Sequence, residues 1–484
     1  MSLPPVLTEL WPHVLAGLTV LSSLLSSGHA VLHKRDSRAA VGWVGLIWLV
    51  PLVGALLYVL LGVNRIRRRG KTLGLGRGTL AHPPPVCACA PEHLARSVPA
   101  AAHLAPLARL AGAVVRRPLL PGNRMTPLDG GDAAYGAMLQ AIEEAQQSIS
   151  LCTYIFDNDA MGRRFVDALA RAQARGVQVR ILIDSVGMRY SWPSIAWKLR
   201  RARLRHGLFL RSLLSFRIAF LNLRNHRKIL VVDGRVGFTG GMNIRASFTT
   251  QPGRPPRGRD LHFRMEGPVV AHLQESFAED WAFTTREVLE GEAWFPQLGA
   301  VGPMLARGIS DGPDEDFETL RTLLLGALAC ARESVRIVTP YFLPDAALNT
   351  ALNVAALRGV RVEIVLPEKG NLPVVQWASR AQLWQVLEPG CRVFLSPPPF
   401  DHTKLMVVDS TWGLVGSANW DPRSLRLNFE FNVELYDPAF ARELDAMVDA
   451  RLRAARPLTL AEVDARSLPA KLRDGLARLL SPYL

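Results

Sequence analysis

Two long apolar stretches open the chain, and an alternation of strand-length and helix-length patterns follows them. Residues 10–32 and 39–63 carry no formal charge. A helix needs roughly 20 apolar residues to cross a bilayer core, so both stretches are long enough. The second, with Trp43, Trp48 and Tyr58, is the stronger spanning candidate; Ser22, Ser23, Ser26, Ser27 and His29 dilute the first. Residues 1–64 are therefore expected to form two transmembrane or membrane-associated helices. No Lys or Arg precedes the first apolar run, which argues against a signal peptide. Residues 65–124, rich in Arg, Gly and Pro with Pro83-Pro84-Pro85 in the middle, read as a tether.

Beyond residue 125 the pattern is that of an α/β protein. Residues 135–147 have helical spacing, 148–156 form an apolar run of strand length, 165–175 are helical and stop at Gly176, and 177–183 read as another strand. The same order returns as a helix at 320–332, a strand at 334–342, a helix at 346–358 stopped by Gly359, and a strand at 360–366. Such alternation predicts an α/β sandwich in each half. Gly302-Pro303 and Asp311-Gly312-Pro313 break the pattern between them. The expected halves are 125–300 and 301–456, with a helical tail over 457–484.

Within this doubled pattern one motif occurs twice. His226-Arg227-Lys228, Asp233 and Gly240-Gly241-Met242-Asn243 are matched, 176 residues later, by His402-Thr403-Lys404, Asp409 and Gly416-Ser417-Ala418-Asn419. Only seven of the 57 basic residues are lysine, and two of the seven fall in this motif. A repeat of this kind means two homologous halves, each donating half of one pseudo-twofold site within a single chain.

His and Lys sit two apart at the start of an apolar strand, so they share a face. The glycine turn lets a backbone come close to a phosphate, and Asn243, Ser417 and Asn419 are the expected phosphate-binding side chains. Lys228 and Lys404 can neutralise phosphoryl oxygens. One imidazole can attack phosphorus while the other protonates the leaving alkoxide. A nucleophilic imidazole needs a partner on its second nitrogen; the downstream acids Asp260 and Glu430 are the candidates. Asp233 and Asp409 complete the catalytic motif, but they lie beyond the strand, so a structural role as ion-pair or turn former is expected of them. No acidic cluster with metal-ligand spacing accompanies the histidines. Metal-free chemistry without a cofactor is therefore expected. Cys87-x-Cys89 has no second pair, and Cys152 and Cys330 read as small core residues.

Charge narrows the partner. The chain carries a formal net charge of +15, which favours an anionic one. Between Asp184 and Asp233 there are no acidic residues, while basic residues alternate with aromatic and aliphatic ones. This insert, with Trp192, Trp197, Phe209 and Phe216, is expected to dock on anionic lipid. The Pro- and Gly-rich loop 251–259 is expected to be a mobile rim. The basic cluster at Arg65, Arg67, Arg68, Arg69 and Lys71 exceeds that at Lys34, Arg35 and Arg38, favouring a cytoplasmic face for everything after residue 64.

Both complete motif copies resemble the phospholipase D superfamily, over roughly residues 125–450. Within it the chain resembles the bacterial cardiolipin synthases. The likeness rests on His33-Lys34-Arg35-Asp36, Gly62-Val63-Asn64-Arg65, Tyr154-Ile155-Phe156, Thr339-Pro340-Tyr341-Phe342, Asn419-Trp420-Asp421-Pro422-Arg423-Ser424 and Asn428-Phe429-Glu430. The resemblance implies two phospholipase D-like α/β/α sandwich halves packed with pseudo-twofold symmetry. It implies a multi-pass protein of the bacterial inner membrane that turns two phosphatidylglycerols into cardiolipin and glycerol. It also implies a phosphohistidine on His226, with His402 as acid and base. Gly241 and Ser417 differ between the copies, so a hydroxyl contact to phosphate is expected only from the second half. Two alternatives are a hydrolase on the same scaffold, either a phospholipase D or a nuclease, and a non-catalytic lipid-binding protein. Two intact His/Lys/Asn sets argue against the last. The apolar start argues against a nuclease, so no nucleic acid is expected as partner.

Overall fold

The computed structural model describes residues 5–34, 37–62, 88–210, 223–250, 253–313 and 318–481. It divides into two units, Met1–Gly74 with Ser212–Asn222, and Leu75–Arg211 with Leu223–Leu484.

In the first unit the helix Pro5–His33 runs unbroken, and Trp11–His33 is long and apolar enough to cross a membrane. Two of its hydroxyls bond within the helix, Thr19 to the Leu15 carbonyl and Ser22 to that of Thr19, so neither needs water; the buried Ser23 and Ser27 hydroxyls have no partner among the described residues. The second apolar stretch is interrupted. Helix Ser37–Leu49 ends before Pro51, and Leu52 adopts φ 64°. A short helix Val53–Leu57 and a π-helical turn Tyr58–Gly62 follow. The expected ranking of the two stretches is thereby reversed: the first helix continues through Pro12, near its N-terminus, while the second stretch is divided where Pro51 meets the left-handed Leu52. Residues 63–87, with the larger basic cluster and the middle of the expected tether, lie outside the described residues.

Residues 88–119 are not a linker. Helices Leu94–Ser97 and Ala105–Val114 and the 3-10 helix Pro99–Leu104 between them bury Leu94, Leu104, Leu107 and Ala111 in the core of the second half. Pro91, Pro99 and Pro106 sit in the first turns of short helices, where a missing N–H costs nothing.

The second unit is built on one sheet of sixteen strands. Its middle is an antiparallel pair, Leu120–Asp129 against Met304–Asp311, one strand from each half. Leu261–Glu266 adds to the first of these and Asn428–Tyr436 to the second. Next on each side comes the motif hairpin, Ile229–Val232 with Val236–Gly240, or Leu405–Val408 with Trp412–Gly416. Parallel strands extend both wings: Ser148–Thr153, Gln178–Asp184 and His206–Phe209 in the first, Ser334–Val338, Arg361–Pro367 and Arg392–Ser396 in the second. Each half has its own apolar core of strand and helix residues. The sequence-derived helices appear as Gly131–Glu144, Ala160–Ala174, Thr319–Cys330 and Ala346–Leu357. Asp159 and Asp345 cap the second and fourth through backbone N–H groups. Gly176 and Gly359, at φ 95° and 90°, end them.

Candidate active site

Each motif histidine follows a two-residue strand that crosses between the halves. Arg224–Asn225, just before His226, pairs in parallel with Asn428–Phe429, just before Glu430. Phe400–Asp401, just before His402, pairs with Gly258–Arg259, just before Asp260. The registers are closed by His226 N–H donating to the Phe429 carbonyl at 2.9 Å and His402 N–H to that of Arg259 at 2.7 Å. The expected mobile rim therefore includes a strand joined to the other half; residues 251–252 lie outside the described residues.

This exchange places each histidine against the acid of the opposite half. His226 Nδ1 is 2.9 Å from Glu430 Oε1, and His402 Nδ1 is 2.8 Å from Asp260 Oδ2. Both carboxylates are fully buried and both histidines nearly so. The bonds occupy Nδ1 and leave Nε2 of each ring for chemistry. Lys228 Nζ donates to the His226 carbonyl at 2.6 Å, and Lys404 Nζ to that of His402.

Burial dominates the titration of these groups. It holds both imidazoles well below the usual histidine range, and the Lys228 and Lys404 charges push the same way. It lowers Lys228 to about 7 and Lys404 to about 8. It raises Asp260 to about 8 and Glu430 to about 7. Such a site is costly to fill with charge until an anion arrives. A phosphodiester would restore the lysine charges, and its negative charge would favour a proton on one imidazole while the other stays neutral and able to attack.

The two glycine positions of the motif are crowded, and the two copies differ at the residue that follows. Gly240 and Gly416 sit at φ 151° and 157°, where a Cβ would lie within 2.7 Å and 2.4 Å of neighbouring atoms. A Cβ at Gly241 would stand 2.5 Å from Asp260 Oδ1. Its counterpart Ser417 instead donates to Glu430 Oε2 at 2.5 Å and accepts from Phe431 N–H at 3.0 Å. The serine expected to touch phosphate is thus fully buried and committed to the carboxylate behind His226. Asn243 accepts from Ile155 N–H at 3.0 Å. Asn419 donates to Ser424 at 3.2 Å, and its buried carbonyl oxygen has no partner among the described residues.

Asp233 and Asp409 lie away from these groups. Asp233 accepts from the N–H groups of Gln146, Gln147 and Ser148 at 2.7–2.9 Å. Asp409 does the same for Arg332, Glu333 and Ser334 and also meets His103 Nε2 at 2.8 Å. Each ties the end of the motif strand to the start of its neighbour, a turn-forming role rather than one at the reacting atoms.

Several site residues carry no local signal. Asp280, on helix Val270–Thr285, accepts from Asn225 Nδ2 and ion-pairs with Arg227, both at 2.8 Å. Arg227 also donates to the Glu430 carbonyl at 3.1 Å, so the residue between His and Lys locks the two halves together. Asp184 accepts from Asn225 N–H at 2.8 Å. In sequence these acids look like any surface acid. Tyr154 and Tyr341 lie edge-on to His226 and His402, with ring centroids 5.2 Å and 6.3 Å away.

The basic insert splits into two parts. Leu199, Leu204 and Phe209 are buried, and Phe209 packs edge-on against Phe429 with ring centroids 5.2 Å apart. Trp192 and Trp197 are 95% and 53% exposed, and so is Tyr190 at 58%, whose ring is 6.1 Å from Tyr154. Phe209 therefore does not face outward as expected, because the strand His206–Phe209 joins the sheet. Phe216 lies outside the described residues.

Comparison with known proteins fits this geometry. A family model described as cardiolipin synthase, PLD-like domain, matches residues 138–281 and again 324–452. A second, described as phospholipase D-nuclease N-terminal, matches residues 21–62. The chain is 35% identical to cardiolipin synthase A of Pseudomonas aeruginosa (strain LESB58), over 97% of this chain and 96% of that protein. It is 34% identical to cardiolipin synthase A of Pseudomonas fluorescens, over 98% and 99%. A crystal structure of phosphatidylserine synthase from Haemophilus influenzae shares the fold, with TM-score 0.62 and 14% identity over 78% of this chain and all of that one.

Proposed function

The chain belongs to the cardiolipin synthase family of phospholipase D-like phosphatidyltransferases, and from that premise we propose that it joins two phosphatidylglycerols into cardiolipin, releasing glycerol, through a phosphohistidine. The observation that carries this reading is the reciprocal pair of histidine–carboxylate bonds, each beside a buried lysine.

His226 Nε2 attacks the phosphorus of the first lipid. A nitrogen–phosphorus bond forms, the bond from phosphorus to the headgroup glycerol oxygen breaks, and His402 Nε2 gives that oxygen its proton. Glu430 holds the His226 ring and stabilises its positive charge as the bond forms. Asp260 does the same for protonated His402. The headgroup hydroxyl of a second phosphatidylglycerol then returns a proton to His402 and attacks the phosphohistidine, which restores His226. Lys228, Lys404, Asn243 and Asn419 balance charge on the phosphoryl oxygens in both steps. Ser417 acts one layer back, by fixing Glu430.

The apolar helix Trp11–His33 supports attachment to the bacterial inner membrane. The basic cluster of residues 65–71 supports a multi-pass arrangement with the catalytic unit on the cytoplasmic side. The exposed Trp192 and Trp197, and Tyr190 beside the Tyr154 ring that borders His226, suit lipid approach.

The test is a product assay on labelled phosphatidylglycerol, read by mass spectrometry. Cardiolipin with equimolar glycerol, lost in His226→Ala, is the expected result. Phosphatidic acid in place of cardiolipin would make water the acceptor and the protein a hydrolase.

A further inference from the structure

The C-terminal helix Leu468–Leu479 is packed on one side only. Ala477 turns inward beside Val375 and Ala378 of helix Pro373–Arg380, and buried Asp474 is paired with Arg466 at 2.6 Å and Arg473 at 2.7 Å. The opposite side is apolar and open: Leu468, Leu472, Leu476 and Leu479 are 69%, 60%, 66% and 74% exposed. At 3.6 residues per turn these four fall within an arc of about 80°. Lys471 and Arg478 flank the stripe on one side, while Arg473, beyond its other edge, is tied to Asp474 and lies over the Trp377 ring.

An exposed apolar stripe of this size marks a binding face, and its flanks select the partner. A basic flank beside a leucine stripe matches an interface that is apolar inside and anionic outside. A second copy of this chain would bring the same basic flank, in a molecule whose net charge is already +15, and like charges repel across an interface.

We propose that this helix lies in the surface of an anionic bilayer with its leucines among the acyl chains, holding the His402 side of the site at the membrane; the inference rests on the phosphatidyltransferase reading above. The path from helix to site is short. A cavity of about 250 Å³ is lined by Val463 and Arg466, just ahead of the helix, by Leu372 and Val375 of the helix it packs on, and by Tyr341. The Tyr341 ring in turn borders His402.

The test uses the full-length protein in vesicles of phosphatidylethanolamine and phosphatidylglycerol. Leu472→Cys or Leu476→Cys, in a background with Cys87, Cys89 and Cys330 replaced by alanine, carries an environment-sensitive fluorophore. Ala461→Cys, also exposed but off this face, is the control. Lipids brominated on their acyl chains should quench positions 472 and 476 strongly and 461 weakly, and the difference should shrink when phosphatidylglycerol is omitted. No quenching at 472 and 476, or equal quenching at all three, overturns the proposal. Disulfide crosslinks between copies at 472 without quenching would give the face to a second copy and overturn it too. The product assay on the same vesicles separates the two readings: cardiolipin without quenching removes the docking alone, and quenching without cardiolipin removes the chemistry alone.

Discussion

Glu430 of the second half holds His226 of the first, with Oε1 2.9 Å from Nδ1. The bond fixes the ring so that Nε2 is the free nitrogen, and it places a carboxylate where positive charge develops when that nitrogen attacks phosphorus. Glu430→Gln keeps the shape and removes the charge. It should lower kcat by roughly 10²–10⁴-fold, the scale of a lost acid–base partner, with little change in KM. Steady-state rates on phosphatidylglycerol vesicles check this, and wild-type rates in the variant would remove Glu430 from the mechanism.

The Gly241 and Ser417 pair should respond asymmetrically. Ser417→Ala removes one hydrogen bond to Glu430, worth about 1 kcal/mol, so kcat should fall several-fold while KM holds. A serine that bound phosphate directly would show its loss in KM. Gly241→Ser should do more damage, because the new Cβ would stand 2.5 Å from Asp260 Oδ1 and displace it from His402. Measuring kcat and KM for both variants distinguishes supporting a carboxylate from binding the substrate.

The lysines set a pH limit. A lysine lowered by burial loses its charge as pH rises, here through about 7 for Lys228 and about 8 for Lys404. Over the same range Glu430 and Asp260, raised to about 7 and about 8, become negative. Loss of the lysine charges disfavours an anionic phosphodiester, so kcat/KM should fall on the alkaline side although the two carboxylates that serve the imidazoles are by then ionised. Lys228→Arg keeps its charge there and should move the decline to higher pH. An unshifted profile would assign the decline to another group.

Asp233 and Asp409 should matter for stability and little for chemistry. Each accepts three backbone N–H bonds at the end of a motif strand. Replacing either with alanine should cost roughly 1.5–3 kcal/mol of folding stability, the scale for bonds to a charged acceptor. Denaturant unfolding in detergent reads the loss. The fraction that remains folded should turn over near the wild-type rate; complete inactivity of folded protein would return these residues to the catalytic set.

Much of this was legible in the chain. The doubled motif, the order of strands and helices, and the glycines that end helices are local signals, and the structure places them as read. Asp260 and Glu430 were identifiable as partners for the histidines, but not which acid serves which ring. That choice follows from the strand pairs Arg224–Asn225 with Asn428–Phe429 and Phe400–Asp401 with Gly258–Arg259, whose partners are far apart in sequence. Pro51 is written in the chain, but the apolar residues on both sides of it carry no sign that the helix ends there and that Leu52 turns left-handed. The helices of residues 94–114 were obscured because proline and arginine there resembled a linker, while the leucines that bury them have partners more than two hundred residues away.

The sequence by itself determined two homologous α/β halves, a His-Lys motif in each, and an apolar start, because residue type, period and repeat are written along the chain. Only the tertiary structure decided that each half's histidine answers to the other half's acid, that Ser417 serves Glu430, and that Phe209 turns inward. Those outcomes depend on which surfaces meet when the two wings of one sheet close on each other, and no local pattern encodes a contact between distant strands.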